Sequence, residues 1–469
     1  MLGKIVRSAA VLASGAMGGQ LVALVLSPAL TRLYAPSEFG VFGVYAAVLY
    51  MLLAFSSLRY EIAIPLVGED EDARHLTVLA VLIALACALL VVAVVAVLRR
   101  VSPLEHWWVF QWYLPLGVAA AGVYNVFIYV RLREAAHGMV ATTRFFQLLA
   151  GSVCQVVLGF FGLGVAGLVL GQVMGLSLGV SKLAKSSLLE FPRVLKNASK
   201  MREQLAAQKR LAIFDAPSAL LAVANNHIPT LLLSAIFSPA AGGMYALAQR
   251  VFAAPLTLAS GALSAALLSK GREIRELDAD GFQRRQALAM RVGSPAAAAC
   301  AIAALCFFGD VFGRKWSDAG PIAAWLVLSV SQKFSFDSLF PLYAIQGRVK
   351  DGFLSQLLIF VARSCVLLMA GAVFSLNVAV GVFSLASTIV YMVATRRAAR
   401  GPAAGSLRDR VLSVLDALAP YMLVAALLFF GLSFASLCWG CSLYGAWAAA
   451  RMSFAVRWAM RRTRRGTAS

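Results

Sequence analysis

Residues 76–98 read LTVLAVLIALACALLVVAVVAVL, and this stretch contains no charged residue. Arg74 lies just before it, and Arg99 and Arg100 follow it directly. A helix rises 1.5 Å per residue, so a helix of this length spans the roughly 30 Å hydrocarbon core of a bilayer. The stretch therefore predicts a transmembrane helix with basic residues at both ends.

The composition extends this prediction to the whole chain. Of its 469 residues, 61% are hydrophobic and only 13% are charged, and the mean hydropathy is +0.81. Soluble globular proteins are about 45–50% apolar and about 25% charged. We therefore predict an all-α polytopic membrane protein with about 14 transmembrane helices. The predicted spans are Ser8–Leu30, Phe39–Leu58, Leu76–Leu98, Trp108–Val130, Phe145–Gly164, Gly167–Leu189, Leu211–Phe237, Gly243–Leu268, Ala287–Gly309, Pro321–Tyr343, Phe353–Phe374, Ala379–Val393, Val411–Phe434 and Cys438–Ala459.

The basic residues lie at the ends of these spans rather than in one patch. With the N-terminus placed inside, 33 of the 42 Lys and Arg residues fall on the cytoplasmic side and five on the outer side. Cytoplasmic loops of membrane proteins carry an excess of Lys and Arg. The asymmetry predicts a multi-pass protein of the bacterial inner membrane with both termini in the cytoplasm. It also explains the net charge of +21 without nucleic acid as a partner.

A weak internal repeat indicates how the spans are organised. Residues 33–35 and 43–46 match residues 233–235 and 243–246 at five of seven positions, at a constant offset of 200. Parallel repeats of this kind occur in transporters. We predict two pseudo-symmetric six-helix lobes, residues 1–203 and 204–400, followed by an additional helix pair and a basic tail at 401–469.

Three segments resemble signature sequences of the polysaccharide flippases, of the O-antigen and capsule type, in the multidrug/oligosaccharidyl-lipid/polysaccharide exporter superfamily. They are TRLYAPSEFGVFG at residues 31–43, RYEIAIPL at 59–66 and GMYALAQRV at 243–251. The resemblance covers most of residues 8–395. It implies a two-lobed bundle, a central and often cationic cavity, alternating access, and a polyprenyl-diphosphate-linked oligosaccharide as cargo. Many such flippases have twelve spans, whereas the extra pair here resembles the lipid II flippases, which have fourteen.

Basic residues inside the predicted spans are the candidates for substrate binding. A charge at mid-bilayer costs about 2.5–3.5 kcal/mol, so it usually faces a wet cavity or a partner. Arg363 and Lys333 lie near the middle of their spans, and Arg250 lies a third of the way into its own. Each has a structural alternative: hydrogen bonding for Arg363, an ion pair with Asp337 for Lys333, and an interfacial position for Arg250. Arg32, at the outer end of the first span, is a further candidate.

A polar tripeptide lies in the middle of the seventh span. Asn225, Asn226 and His227 are followed by Pro229, which predicts a locally opened helix that lines a cavity. Asn226 is therefore a candidate for substrate binding, and His227 is a candidate for proton coupling. The structural alternative for His227 is a hydrogen-bonded histidine in the core.

Few acidic residues are placed to couple transport to an ion. Asp337, Glu61 and Asp215 are the candidates for H⁺ or Na⁺ coupling. Glu61 also has a structural alternative, a local ion pair with Arg59. We expect no other cofactor and no metal site, because the CxxC pair Cys438 and Cys441 lacks a second ligand pair. A disulfide between these two cysteines stays open.

The predicted function is therefore transport rather than catalysis. The predicted outer loops are short, and the phosphate-binding pattern GxxxxGK[ST] is absent from the sequence. We expect a flippase that moves a lipid-linked glycan to the outer leaflet for surface polysaccharide biosynthesis, with membrane lipids and possible polysaccharide assembly proteins as partners. The alternatives are a lipid II-type flippase, a cation-coupled multidrug exporter, a membrane glycan polymerase or ligase, and a non-transporting scaffold.

Overall fold

A computed structural model describes most of the chain. The described residues are 2–101, 109–188, 191–195, 197–209, 211–253 and 299–398, together with 256–257, 260–261, 263–264, 297, 421–422 and 424. All regular secondary structure within them is helical. They fall into two compact units: one within Met1–Leu247 and Gln356–Phe360, the other within Ala248–Ser355 and Val361–Ser469. The predicted lobe boundary near residue 203 stays a prediction.

The first unit contains eleven helices in the described ranges. They are α1 (Leu2–Leu33), α2 (Pro36–Leu53), α3 (Asp70–Val101), α4 (Leu114–Arg133), α5 (His137–Phe160), α6 (Val165–Ser177), α7 (Val180–Leu188), α8 (Phe191–Leu195), α9 (Ala198–Ala207), α10 (Ala216–Ile236) and α11 (Pro239–Ala248). Helix α1 packs along α5, α5 along α6, α3 along α4, and α10 along α2. Two apolar clusters form the core, one around Tyr124 and Phe127 and the other around Tyr45 and Val118.

The second unit begins at Ala248 and contains five described helices beyond α11. They are α12 (Ala299–Phe312), α13 (Ala319–Leu339), α14 (Leu342–Ile345), α15 (Val349–Val373) and α16 (Leu376–Ala398). Helix α13 packs along α16, and the turn Gln249–Ala253 packs against α13. Residues Gln356–Phe360 of α15 group with the first unit.

Local sequence accounts for where the helices of the first unit begin. Pro36 and Pro239 stand at the first positions of α2 and α11, where a missing N–H costs nothing. The Glu38 carboxylate accepts a hydrogen bond from the Ala35 N–H at 2.6 Å, which caps the first turn of α2. The Ser238 hydroxyl accepts one from the Ala241 N–H at 3.2 Å and caps α11 in a similar way.

Nine helical segments of the described residues are long and apolar enough to cross a membrane, and one of them, Val165–Ala184, consists of α6 and the first part of α7. They correspond to the first seven predicted spans and to the eleventh and twelfth, which confirms a multi-pass helical membrane protein. The total of fourteen stays a prediction. The thirteenth and fourteenth spans lie outside the described residues, apart from three positions near Tyr421.

Three details of the predicted spans are wrong. The twelfth span is not short, since α16 has 23 residues. The sixth is divided into α6 and α7 at Leu178, whose carbonyl oxygen accepts a bond from the Gln147 amide at 3.1 Å. Helix α10 stays α-helical through Pro229 rather than opening there. The helices α2 and α11 begin at Pro36 and Pro239, which are 203 residues apart, and the repeat at an offset of 200 stays a prediction.

Candidate functional site

Lys333 and Asp337 form the predicted ion pair on α13. The ammonium of Lys333 donates to a carboxylate oxygen of Asp337 four residues later. The side chains are 13% and 27% exposed, so the pair is largely withdrawn from solvent. The Ser264 hydroxyl donates to the backbone carbonyl of Asp337 at 2.8 Å. The site is thus a nearly neutral pair within the second unit, and the role of Lys333 toward a substrate stays a prediction.

Arg363 lies in a polar and aromatic niche of the second unit. Its guanidinium donates to the Ser387 hydroxyl at 3.0 Å and to the Tyr391 hydroxyl at 2.8 Å. It also lies over the rings of Phe383, at 4.9 Å, and Tyr391, at 5.2 Å. Only 7% of the residue is exposed. These contacts fit the structural alternative given for Arg363, because they join α15 to α16.

We expect that replacing Arg363 lowers stability. Arg363→Ala removes two buried hydrogen bonds and the cation–π contacts, which together correspond to about 2 kcal/mol. Thermal unfolding of the purified protein in detergent measures the change, with Arg202→Ala on the exposed face of α9 as the control. Arg363→Lys keeps the charge but not the planar fork. If both Arg363 variants melted like the wild type, the structural role would be wrong.

Arg250 and Arg32 occupy two different environments. Arg250 is half-buried in the π-helical turn Gln249–Ala253, which continues α11. Single π-turns often occur at functional sites, because they change the direction of one side chain. Arg32 is exposed in the last turn of α1. Both remain predictions for substrate binding.

The polar tripeptide of α10 contacts two other helices, α2 and α15. The Asn225 amide donates to the side-chain oxygen of Gln356 at 2.8 Å, and Asn226 donates to the backbone of its own helix. The imidazole of His227 stacks on the ring of Tyr50 with centroids 5.3 Å apart. The Gln172 amide in turn donates to the Tyr50 hydroxyl at 2.9 Å. Helices α2, α6, α10 and α15 are therefore linked by polar side chains within apolar segments.

Glu61 and Asp215 lie at the same guanidinium, that of Arg59. The Arg59 Nε donates to Asp215 at 2.8 Å, and a terminal nitrogen of Arg59 lies 3.8 Å from the Glu61 carboxylate. The Ser57 hydroxyl also donates to Glu61, which is 4% exposed. Arg59 has a φ of +66°, an uncommon conformation for this residue type. Two of the three predicted acidic candidates are thus neighbours of one cation.

The charge of Arg59 is fixed by this cluster. Burial by itself lowers the pKa of the guanidinium, but the hydrogen bond to Asp215 and the nearby charges outweigh that effect and raise the pKa. Arg59 is therefore a permanent cation that holds two carboxylates. The predicted local pair with Glu61 is present, although the shorter contact is the one to Asp215.

Several partners in these clusters were not identified from the sequence. Tyr50, Gln356, Ser387 and Tyr391 each contact a residue that was singled out from the sequence, and Gln172 contacts Tyr50. A polar residue within an apolar span is a sequence feature that could have identified such partners, and Gln172 and Gln356 both show this feature. Tyr50 and Tyr391 show no such feature, because tyrosine is common in membrane spans. In the described part of the chain, no three His, Cys, Asp or Glu side chains lie close enough to hold a metal ion.

The described helices define a polytopic helical membrane protein. Three solved structures have a similar fold. The lipid II flippase MurJ in an inward closed conformation superposes with a TM-score of 0.68 at 11% identity, covering 94% of this chain and 98% of that one. An inward-facing multidrug resistance MATE family transporter gives 0.58 at 13% identity, covering 84% and 94%. A MOP superfamily transporter from Pyrococcus furiosus gives 0.53 at 15% identity, covering 91% and 96%.

The sequence itself identifies the family. The profile of the family described as "Polysaccharide biosynthesis protein" matches residues 29–321, well over half of the chain. The chain belongs to this family, and the predicted resemblance to polysaccharide flippases is confirmed. A search of curated protein sequences gave no match. The structural neighbours named above are transporters and a flippase.

Proposed function

We propose that this protein flips a polyprenyl-diphosphate-linked oligosaccharide from the cytoplasmic to the outer leaflet of the bacterial inner membrane, by alternating access, for surface polysaccharide biosynthesis. The observation that carries the proposal is the combination of a polysaccharide biosynthesis family match with the fold of transporters. A membrane transporter dedicated to polysaccharide biosynthesis needs a saccharide cargo that reaches the membrane. A glycan on a lipid carrier meets that need.

The chemistry of this cargo explains why a protein is required. A diphosphate carries about two negative charges, and its transfer through hydrocarbon is prohibitive unless other groups replace its hydration. Guanidinium and ammonium groups replace it with charge-assisted hydrogen bonds. Arg250, Lys333 and Arg363 are the candidates for this role in the predicted spans. An inside-negative potential favours outward movement of an anion by about 2.3 kcal/mol per charge per 100 mV.

The test is a flipping assay with the purified full-length protein in liposomes. The probe is a fluorescent polyprenyl diphosphate that carries a short neutral oligosaccharide, and a membrane-impermeant reductant reports how much of it has reached the outer leaflet. We expect protein-dependent loss of fluorescence well above that of empty liposomes. The same lipid with a monophosphate is the control, and it is expected to move more slowly because it has fewer charges to bind.

Two outcomes would change the proposal. Preferential movement of lipid II over the neutral oligosaccharide would assign the protein to peptidoglycan precursors instead. Movement of neither lipid, together with proton-driven accumulation of an organic cation dye, would replace the proposal with a multidrug exporter.

A further inference from the structure

The first turns of α2 and α11 cross each other in direct backbone contact within the first unit. Each begins with a proline that is followed four residues later by a glycine, Pro36 with Gly40 and Pro239 with Gly243. A Cβ atom on Gly40 would lie 1.7 Å from the carbonyl oxygen of Pro239. A Cβ atom on Gly243 would lie 2.0 Å from the carbonyl oxygen of Pro36. The contact is reciprocal, and neither glycine position accommodates a side chain.

The close approach continues one turn further along both helices. A Cβ atom on Gly43 would lie 3.0 Å from the Thr230 methyl group and 3.3 Å from the Ala246 Cβ. A Cβ atom on Gly242 would lie 1.7 Å from the Ser234 hydroxyl. Small residues therefore allow α2 and α11 to approach each other and α10 over two helical turns, as in other close helix contacts within membranes.

The position of this crossing gives it a role in transport. The basic residues predict that Pro36 and Pro239 lie at the outer ends of their helices. In the predicted repeat, α2 belongs to the first copy and α11 to the second. Alternating access requires the outer ends of the two copies to separate when the outer side opens. The two reciprocal contacts must then break together.

We propose that this glycine crossing is the outer gate of the protein and that it is closed in the conformation described here. The inference rests on the proposed transport function. A gate contact must keep the outer end closed and must also be weak enough to break during transport. The glycine crossing meets both conditions. Each glycine places a Cα–H against a carbonyl oxygen, a weak interaction that buries no charge and leaves no strong donor unsatisfied on separation. The closed gate is therefore closely packed, yet opening it breaks only weak interactions.

A labelling experiment tests whether the glycines keep the outer end closed. The reporter is Ser234→Cys in a chain whose other cysteines are replaced, because the Ser234 hydroxyl is buried under the crossing. The probe is a membrane-impermeant maleimide added from the outside. If the open state is a minor one of roughly 10% or less, Gly40→Ala and Gly243→Ala are each expected to raise the labelling rate by about tenfold. Gly138→Ala, which has nothing within 4 Å, is the matched control.

A cross-linking experiment tests the same gate without enlarging a glycine. Ser37→Cys and Ala240→Cys occupy the second positions of the two first turns, and a short bis-methanethiosulfonate joins the two thiols through reducible disulfides. We expect the cross-linked protein to lose lipid flipping and to regain it after reduction, whereas either single variant flips normally.

The outcomes separate the gate from the proposed function. Unchanged labelling in both glycine variants, or normal flipping by the cross-linked protein, would overturn the gate while the wild type still moved lipid. If the wild type moved no lipid, the proposed function would fail, and the labelling experiment would still report on the gate.

Discussion

Replacing Lys333 by Ala is expected to destabilise the protein by about 3 kcal/mol or more, because it leaves a largely buried carboxylate without its cation. The Asp337 side chain is 27% exposed, and Lys333 is its partner in the structure. Removing both charges with Lys333→Leu and Asp337→Leu is expected to restore most of the lost stability, since paired replacement by apolar residues is often neutral. Thermal unfolding in detergent measures all three variants.

Lipid flipping by the double variant also shows whether Lys333 has only a structural role in the ion pair or contacts the substrate. If the Lys333 ammonium binds the diphosphate, the stable double variant is expected to flip the lipid about ten- to a hundredfold more slowly, the equivalent of one lost charge-assisted bond. The control is the ion pair of Lys200 on α9 and Glu71 on α3, whose side chains are 36% and 52% exposed. Exposed pairs contribute little, so replacing both of these by Ala is expected to change neither quantity. Normal flipping by the stable Lys333/Asp337 double variant would exclude Lys333 from substrate binding.

The sequence predicted those features that depend on local spacing. Lys333 and Asp337 are four residues apart in a span, so any helix places them on one face, and the pair is present. The apolar lengths located the nine membrane helices of the described residues for the same reason.

Features that join distant parts of the chain could not be predicted in this way. Arg59 and Asp215 are 156 residues apart, and nothing in either segment specifies the other. The length of α16 was underestimated because the predicted span stopped before the polar residues at its ends, Asn377 on one side and Thr395 to Arg397 on the other, which the helix includes. Within the span, the hydroxyls of Ser384, Ser387 and Thr388 are buried and hydrogen-bonded, for example to Arg363 and Tyr421, so they do not interrupt the helix.

The register of the repeat shows a second limit. The sequence match at an offset of 200 rests on small and apolar residues, which recur throughout membrane spans. In the structure, the two proline starts and the two glycines in reciprocal contact are each 203 residues apart. Glycine is the only sequence feature that marks a backbone contact of this kind. Because the chain contains 37 glycines, the sequence does not show which of them take part in such a contact.

Replacing Arg59 by Ala is expected to have the largest effect on stability of any substitution considered, about 3–5 kcal/mol. The Glu61 carboxylate is 6% exposed and would keep only the Ser57 hydroxyl as a donor. Adding Glu61→Gln to Arg59→Ala is expected to recover much of the loss, because it removes the uncompensated charge. Asp215→Asn by itself is expected to cost about 1 kcal/mol or less, since the Asp215 side chain is 44% exposed.

Backbone strain at Arg59 is separated from its charge by a second substitution. With φ at +66°, alanine at this position keeps the strain of the left-handed conformation, whereas glycine relieves about 1 kcal/mol of it. Arg59→Gly is therefore expected to be less destabilising than Arg59→Ala. The melting temperature of the Arg59→Gly protein is still expected to lie well below that of the wild type. If Arg59→Gly were more stable than the wild type by about the 1 kcal/mol of relieved strain, the guanidinium would stabilise neither carboxylate. The wild type and Arg59→Ala share the backbone strain, so the difference between them measures the buried charge of Glu61, and the difference between the two variants measures the strain.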